Sequence, residues 1–156
     1  MSGPYFFRLL WLGFALCLGS ATISAAATQD SAIAVIVAAG APTPRLNREQ
    51  LALIFKLKKR FLEDGQAIQA VNLPANHPLR RAFSLQLLGR APEDFDAYWS
   101  DMYFHGVLPP YVLASEEAVI RFVATTPGAI GYVSHCMVDQ RVSIVLRVES
   151  TIACPR

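Results

Sequence analysis

Apolar residues along this chain form continuous runs in some segments and helical stripes in others. Residues 33–38 are a continuous apolar run that Gly40 and Pro42 end. Such a run is typical of a strand buried on both faces, as in a parallel sheet. Shorter apolar segments bounded by turn residues predict three further strands, over 67–73, 129–133 and 143–148.

Helices are predicted between these strands from capping residues and apolar stripes. Asn47 begins the first helix, and Gln50 three residues later fits a capping box. Further helices are predicted to begin at Pro78, Pro92 and Ser115. The helix after Pro92 carries the most regular stripe, which we interpret as core: Phe95, Tyr98, Trp99, Met102 and Tyr103. Strands alternating with helices predict an α/β fold with helices packed on a mostly parallel central sheet.

The N-terminal segment 1–27 has the pattern of an export signal. A basic residue precedes an uncharged segment over 9–27, which is most apolar in its first half and closes on three alanines. This order predicts a signal peptide cleaved after Ala27, with cleavage after Ala26 as the alternative. A membrane anchor is the competing interpretation, because the segment is long enough to span a bilayer. We expect the signal, and hence a soluble periplasmic domain over 28–156 with no membrane insertion after cleavage.

Export decides how the cysteines are interpreted. Cys17 would leave with the signal, and Cys136 and Cys154 would remain in an oxidising compartment. Two cysteines there predict one disulfide, which would tie the C-terminal tail to the loop after the strand over 129–133. A reactive thiol at Cys136, beside His135, is the alternative that the sequence leaves open.

Composition and charge exclude several classes of function. Hydrophobic residues make up 53% of the chain and charged residues 17%, which excludes an intrinsically disordered protein. The 14 basic and 12 acidic residues give a net charge of +2, so binding of nucleic acid through bulk charge is not expected. The histidines, His77, His105 and His135, lack metal-ligand spacing, and no catalytic signature is present. We therefore expect no metal, no cofactor and no enzyme activity.

A dense basic cluster follows the first predicted helix, and it consists of Lys56, Lys58, Lys59 and Arg60. One interpretation is a solvated helix end whose charges complement the helix dipole. The other is a contact with an anion or a partner. The sequence does not decide between them.

Several segments together resemble the phosphate-type periplasmic substrate-binding proteins of ABC transporters. The most specific runs from Thr126 to Val133 and reads Thr-Pro-Gly-Ala-Ile-Gly-Tyr-Val. The other segments that carry the resemblance are 46–55, Asp64-Gly65, Arg80 to Phe83, Tyr98-Trp99, and Ser115-Glu116-Glu117 with Val119. The resemblance covers most of 28–156. Full binding proteins of this type have two lobes, hold the ligand between them and are roughly twice as long as this chain. The resemblance therefore implies a single lobe, similar to the short, one-domain members.

The resemblance implies an anion site at the start of the helix that begins at Pro78. In the phosphate binders a Gly-Ser-Gly-Thr stretch supplies hydrogen bonds at this point. This chain has Asn76-His77-Pro78-Leu79 instead, which lacks the hydroxyls and, at the proline, one N–H. A helix N-terminus still favours an anion. Arg80 in the first turn has the charge and geometry to bind phosphate or carboxylate.

The ligand-binding candidates are therefore Asn76, His77, Arg80 and Arg81, with Thr125 and Thr126 as a second tier. The alternative is that Asn76 or His77 caps the helix, that the arginines pair with surface acids, and that the threonines belong to a plain turn. No catalytic residue is predicted.

Two functional hypotheses follow. In the first, the chain binds a small anion, phosphate-like or a carboxylate, in the periplasm and presents it to an inner-membrane transporter or sensor. In the second, it is a protein-interaction module that has lost its ligand and docks such a membrane protein.

Overall fold

A five-stranded sheet is the centre of the protein in the computed structural model, which describes residues 31–42 and 44–154. The predicted signal peptide, including Cys17 and the cleavage positions Ala26 and Ala27, lies outside the described residues. In chain order the strands are β1 (Ala32–Ala38), β2 (Gln69–Asn72), β3 (Tyr111–Val112), β4 (Ala129–Ser134) and β5 (Val142–Glu149).

The strand order across the sheet is β3-β2-β4-β1-β5. β2 is parallel to β3 and β4, whereas β1 is antiparallel to β4 and β5. Four of the five strands therefore run in one direction, which confirms the mostly parallel α/β sheet. β1 is the exception, and its expected parallel pairing was wrong. A strand covered on both faces is apolar throughout whichever way it runs, so the pattern of Ile33 to Val37 reported burial but not direction.

Helices connect the strands and cover the sheet. They are α1 (Arg48–Phe55), α2 (Pro78–Phe83), α3 (Asp96–Phe104) and α4 (Glu116–Thr125). A π-helical turn, Ser84–Leu88, extends α2, and a 3-10 turn, Pro92–Phe95, leads into α3. Another 3-10 turn, His135–Met137, follows β4.

The predicted caps form as the sequence indicated. The Gln50 N–H donates to Asn47 Oδ1 at 2.8 Å, and the Asn47 N–H donates to Gln50 Oε1 at 3.1 Å, which completes the capping box of α1. Ser115 Oγ accepts from the Ala118 N–H at 3.2 Å and caps α4. Satisfying these otherwise free amides fixes where each helix starts.

Aromatic rings and close backbone packing hold the core together. Tyr132 on β4 stacks on Phe83 of α2 with ring centroids 3.8 Å apart, and Phe55 of α1 meets both rings edge-on. Gly131 lets α4 approach β4, because a Cβ there would lie 2.6 Å from a methyl carbon of Val119. The elements around β4 are therefore closely packed.

The aromatic stripe of α3 is not the core that we expected. Phe95 is buried and Tyr98 and Trp99 are half-buried, but Tyr103 is 63% exposed. Phe104, the last residue of the helix, is 86% exposed. Helical periodicity shows which side chains share a face, but not whether another element covers that face.

A disulfide joins the turn after β4 to the C-terminal tail. Cys136 and Cys154 form a disulfide with 6.2 Å between their Cα atoms, so the structure favours the predicted bridge over a reactive thiol. It links the turn after β4 to the tail after β5. β3 is not among the predicted strands, because two residues are too few to show a period. Among the described residues, no helix has the length and apolar character needed to cross a membrane.

Candidate functional site

Ligands of α/β sheets commonly bind beyond the carboxyl ends of parallel strands. Here β2 ends at Asn72 and leads into α2, and its parallel neighbour β4 ends at Ser134. α4 begins close to the end of β4, because the Glu116 side chain contacts Ser134. Buried polar groups gather at the carboxyl ends of β2 and β4, which makes this end of the sheet the candidate site.

Arg80 is the most unusual of these groups. It is only 8% exposed, and its Nε and Nη1 atoms have no hydrogen-bond partner among the residues that the structure describes. Burial lowers the pKa of Arg80 because the charged guanidinium loses its hydration, while the neighbouring Tyr132 opposes the shift. A buried charge without a partner is costly, and an unfilled donor of this kind needs an explanation.

Tyr132 lies beside Arg80 but does not neutralise it. Its Oη donates to Asn72 Oδ1 at 3.3 Å and accepts from the Leu73 N–H at 3.4 Å. Burial raises the pKa of Tyr132 to about 12, against the opposing effects of Arg80 and the Leu73 N–H. The phenol is therefore uncharged at neutral pH, and its hydroxyl is engaged with β2 rather than with the guanidinium.

Glu116 is the other buried charged residue at this end of the sheet, and it too is 8% exposed. Its carboxylate accepts from the Ser134 N–H and, at 3.2 Å, from Ser134 Oγ. Both oxygens are thus engaged by the end of β4. Glu116 and Glu117 both lie in the first turn of α4, and no sequence pattern distinguishes the buried one from its neighbour.

His77 acts as a cap rather than as a free ligand. Its Nδ1 accepts from the Leu79 N–H at 3.2 Å, and its carbonyl accepts from the Arg81 N–H at 3.1 Å. Pro78 has no N–H to offer. The Leu79 and Arg81 amides are thus used and Pro78 has none, while Asn76 lies exposed in the turn before them. The capping alternative therefore holds for His77.

Arg81 is engaged at the surface. It forms an ion pair with Glu93 in which both side chains are more than half exposed. A backbone hydrogen bond lowers the pKa of Glu93, and the hydrogen bond from Arg81 lowers it further. The surface-acid alternative holds for Arg81, and it does not hold for its neighbour Arg80.

Thr125 and Thr126 lie at the other end of the sheet. They precede β4, whose first residue Ala129 pairs with Gln69 at the start of β2, whereas Arg80 follows the end of β2. Thr125 Oγ1 donates to the Arg121 carbonyl at 2.9 Å. Strands rise by about 3.3 Å per residue, so the threonines and Arg80 do not share one site. Thr125 and Thr126 therefore stay candidates at a separate place in the fold.

A spacing signal for Arg80 was present in the sequence. Arg80, Phe83 and Leu87 recur at i, i+3 and i+7, so Arg80 falls on the apolar face of its helix. Arg81 is one position further round and points outward.

Within the described ranges no group of three His, Cys, Asp or Glu residues could hold a metal ion.

The fold is similar to that of three solved binding proteins. A protein from Clostridium perfringens, assigned as a phosphate ABC transporter substrate-binding protein and solved with bound phosphate, has a TM-score of 0.61 and 21% identity, covering 75% of this chain and 46% of its own. An ABC-type phosphate transport receptor from Vibrio cholerae has a TM-score of 0.57 and 21% identity, and the match covers 75% of this chain and 47% of the receptor. PstS from Borrelia burgdorferi has a TM-score of 0.56 and 15% identity, and the match covers 81% of this chain and 49% of PstS.

These similarities confirm the periplasmic-binding-protein-like α/β fold that the sequence resemblance implied, and at such identities they concern the fold alone. The chain spans just under half the length of each of these three structures. No family model matches the sequence, and no curated protein is similar to it.

Proposed function

We propose that this chain is a single-lobed solute-binding protein of the periplasm that holds a small anion, phosphate-like or a carboxylate, at Arg80. The observation that carries the proposal is the buried guanidinium with two unfilled donor atoms. The similarity in fold to a protein solved with bound phosphate supports an anion of that class.

An anion at this position would solve the electrostatic problem that the fold creates. An anion beside the guanidinium would accept hydrogen bonds from donors that are otherwise unfilled, and charge-assisted hydrogen bonds of this kind are strong. The net charge of +2 gives no broad attractive field, so affinity would depend on this local contact. Arg81 would contribute little, because Glu93 already neutralises it.

Export and presentation complete the proposal. Cleavage of segment 1–27 after Ala27 would deliver residues 28–156 to the periplasm, where the loaded protein presents its anion to an inner-membrane transporter or sensor. The mature protein acts by binding, without enzyme activity. Mass spectrometry of the exported protein tests the first step: a mass beginning at Thr28, or at Ala27 for the alternative site, supports it, and a retained N-terminus contradicts it.

Titration calorimetry of the purified protein with phosphate, sulfate, acetate and citrate tests the anion site. We expect saturable heat with at least one anion, its loss in Arg80→Met, and its retention in Arg81→Met. Circular dichroism of each variant separates loss of binding from loss of fold. The absence of heat with every anion, or equal binding by Arg80→Met, would refute the proposal.

The second candidate function is a ligand-free module that docks a membrane transporter or sensor. The observation that favours it is exposed apolar surface around the end of α3 and β3, where Tyr103, Phe104 and Leu108 are each more than 60% exposed. Tyr103 and Phe104 contact each other, with ring centroids 6.3 Å apart, and exposed apolar side chains that form a patch mark interaction sites in soluble proteins. No heat in the calorimetry, together with reconstituted binding to a purified transporter, favours this candidate over the first.

A further inference from the structure

Leu57 has a backbone conformation that its residue type disfavours. It is the one non-glycine residue of the described ranges with positive φ, at 55°. It ends α1 in a turn where the Leu57 N–H donates to the Ile54 carbonyl at 2.9 Å and the Lys58 N–H to the Leu53 carbonyl at 2.8 Å. Glycine usually occupies this position, because a Cβ is strained in the left-handed region. Strain of this kind is often retained where a side chain has a task besides folding.

The left-handed turn sends neighbouring side chains into two different clefts. Leu57 lines a cleft of about 460 Å³, here called the apolar groove, together with Ile68, Ala70, Leu108, Pro110 and Tyr111. Lys56 and Lys58 line a cleft of about 220 Å³, here called the cationic pocket, together with Arg90, Phe95 and Tyr98. The two clefts are thus adjacent, with the end of α1 between them.

The cationic pocket has no acid to balance it. None of Lys56, Lys58 and Arg90 forms an ion pair within the part of the chain that the structure describes, and no acidic side chain lines the pocket. The turn is held in place, because Tyr98 Oη donates to the Lys56 carbonyl at 2.6 Å. This cluster of positive charge is complementary to carboxylates.

The apolar groove lies beside an open edge of the sheet. β3 is the terminal strand, and its residues Tyr111 and Val112 are 69% and 63% exposed. Pairing with β2 leaves the outer side of β3 without a strand neighbour among the described residues. An exposed edge of this kind can accept an extended peptide as an additional strand.

We propose that the apolar groove and the cationic pocket together bind an extended segment of another protein that carries acidic residues next to apolar ones. The apolar residues would fill the groove beside Leu57, and the carboxylates would meet Lys56, Lys58 and Arg90. A flat membrane surface fits less well, since both clefts are concave. The surface adjoins the start of β2, whereas Arg80 follows its end, so this inference is independent of anion binding.

Selection from a random peptide library displayed on phage tests the inference. We expect enriched peptides to combine acidic with aliphatic or aromatic residues. A synthetic copy of the most enriched peptide should bind about tenfold more weakly to Leu57→Gly and to Lys58→Glu. Leu57→Gly relieves the strained φ, so it should keep its fold. Arg45→Glu, an exposed basic position outside both clefts, is the matched control and should bind normally.

Four results would overturn the inference: no enrichment, enriched peptides without acidic residues, equal binding by Leu57→Gly, and failure of peptide binding while anionic phosphatidylglycerol vesicles bind in a Lys58-dependent way. Calorimetry of Leu57→Gly with phosphate and citrate should equal that of the unchanged protein. Each proposal can therefore fail without the other.

Discussion

Two buried charges at one end of the sheet differ in how the fold treats them. Glu116 and Arg80 are equally inaccessible, each 8% exposed. The Glu116 carboxylate accepts from the amide and the hydroxyl of Ser134, whereas two guanidinium nitrogens of Arg80 have no partner in the described part of the chain. Burial alone therefore does not indicate function. The informative observation is a buried charge whose hydrogen-bonding capacity the protein itself leaves unfilled.

The comparison assigns different tasks to the two side chains. Glu116 joins the start of α4 to the end of β4, so it belongs to the architecture. Arg80 is a buried charge with unfilled donors, and under the proposed function an anion would become its partner.

The largest effect is expected from the disulfide beside the Glu116 contact. Cys136 lies two residues after Ser134, and its bridge to Cys154 closes a loop with a sequence separation of 18. Replacing both cysteines by serine should lower the free energy of unfolding by about 3 kcal/mol. Urea denaturation measures the change, and reduction of the unchanged protein should reproduce it. A midpoint that neither treatment moves would contradict the structural role of the bridge.

Glu116→Gln should be the next most damaging change. It removes the charge from two buried hydrogen bonds and should lower the free energy of unfolding by about 2 kcal/mol. Glu117→Gln is the matched control, since Glu117 is the adjacent residue and is only partly buried. The two variants are compared by urea denaturation at neutral pH. Equal losses in both would show that the Ser134 contact has no special weight.

Arg80→Met should behave in the opposite way in buffer without added anions. Removing a buried charge that lacks a partner should leave the free energy of unfolding unchanged or raise it by about 1 kcal/mol. In phosphate the unchanged protein should gain stability and Arg80→Met should not, because ligand binding stabilises only the folded state that binds it. Thermal unfolding with and without phosphate measures both. A large loss of stability in Arg80→Met without anions would mean that the guanidinium is structural.

The smallest effect is expected at the surface, where Arg141 pairs with Glu117 at 2.9 Å and with Asp139 at 2.7 Å. Hydrogen bonds from Arg141 lower the pKa of both carboxyl groups in the folded protein. A carboxyl group whose pKa is lower in the folded than in the unfolded protein stabilises the fold at any pH above its unfolded-state pKa. This stabilisation is lost as the pH falls through the folded-state pKa. Arg141→Met should therefore be slightly less stable at neutral pH.

The difference in stability between the unchanged protein and Arg141→Met should shrink once the pH falls below the ordinary pKa values of Glu117 and Asp139, which are 4.5 and 3.8. Urea midpoints measured across this acid range check it. A difference that stays constant into strong acid would exclude these ion pairs as its cause.

Most of the fold could be predicted because local signals and tertiary structure agree. The capping box at Asn47, the buried run of β1 and the stripe of α4 each specify one element from nearby residues. The direction of β1, the two-residue β3 and the exposed end of α3 could not be predicted. They depend on which distant segments pair with them or cover them.

The site shows the same limit at the level of single residues. The sequence nominated Arg80 and Arg81 together, and only the packing of α2 separates a buried guanidinium from a surface ion pair. The separation of Thr125 and Thr126 from Arg80 depends on the parallel register of β2 and β4, which no local pattern shows. The hydrogen bonds of Glu116 to Ser134 join residues on two elements, and no short pattern encodes them.

The most direct test of the contrast is an NMR titration that observes the Nε–H of Arg80, assigned by its loss in Arg80→Lys. Its burial should protect this proton from solvent exchange. The account predicts that the cross-peak moves with inorganic phosphate, sulfate or a small carboxylate, while the Nε–H of Arg81 stays in place. An Arg80 cross-peak that none of these anions shifts at saturating concentration would contradict it.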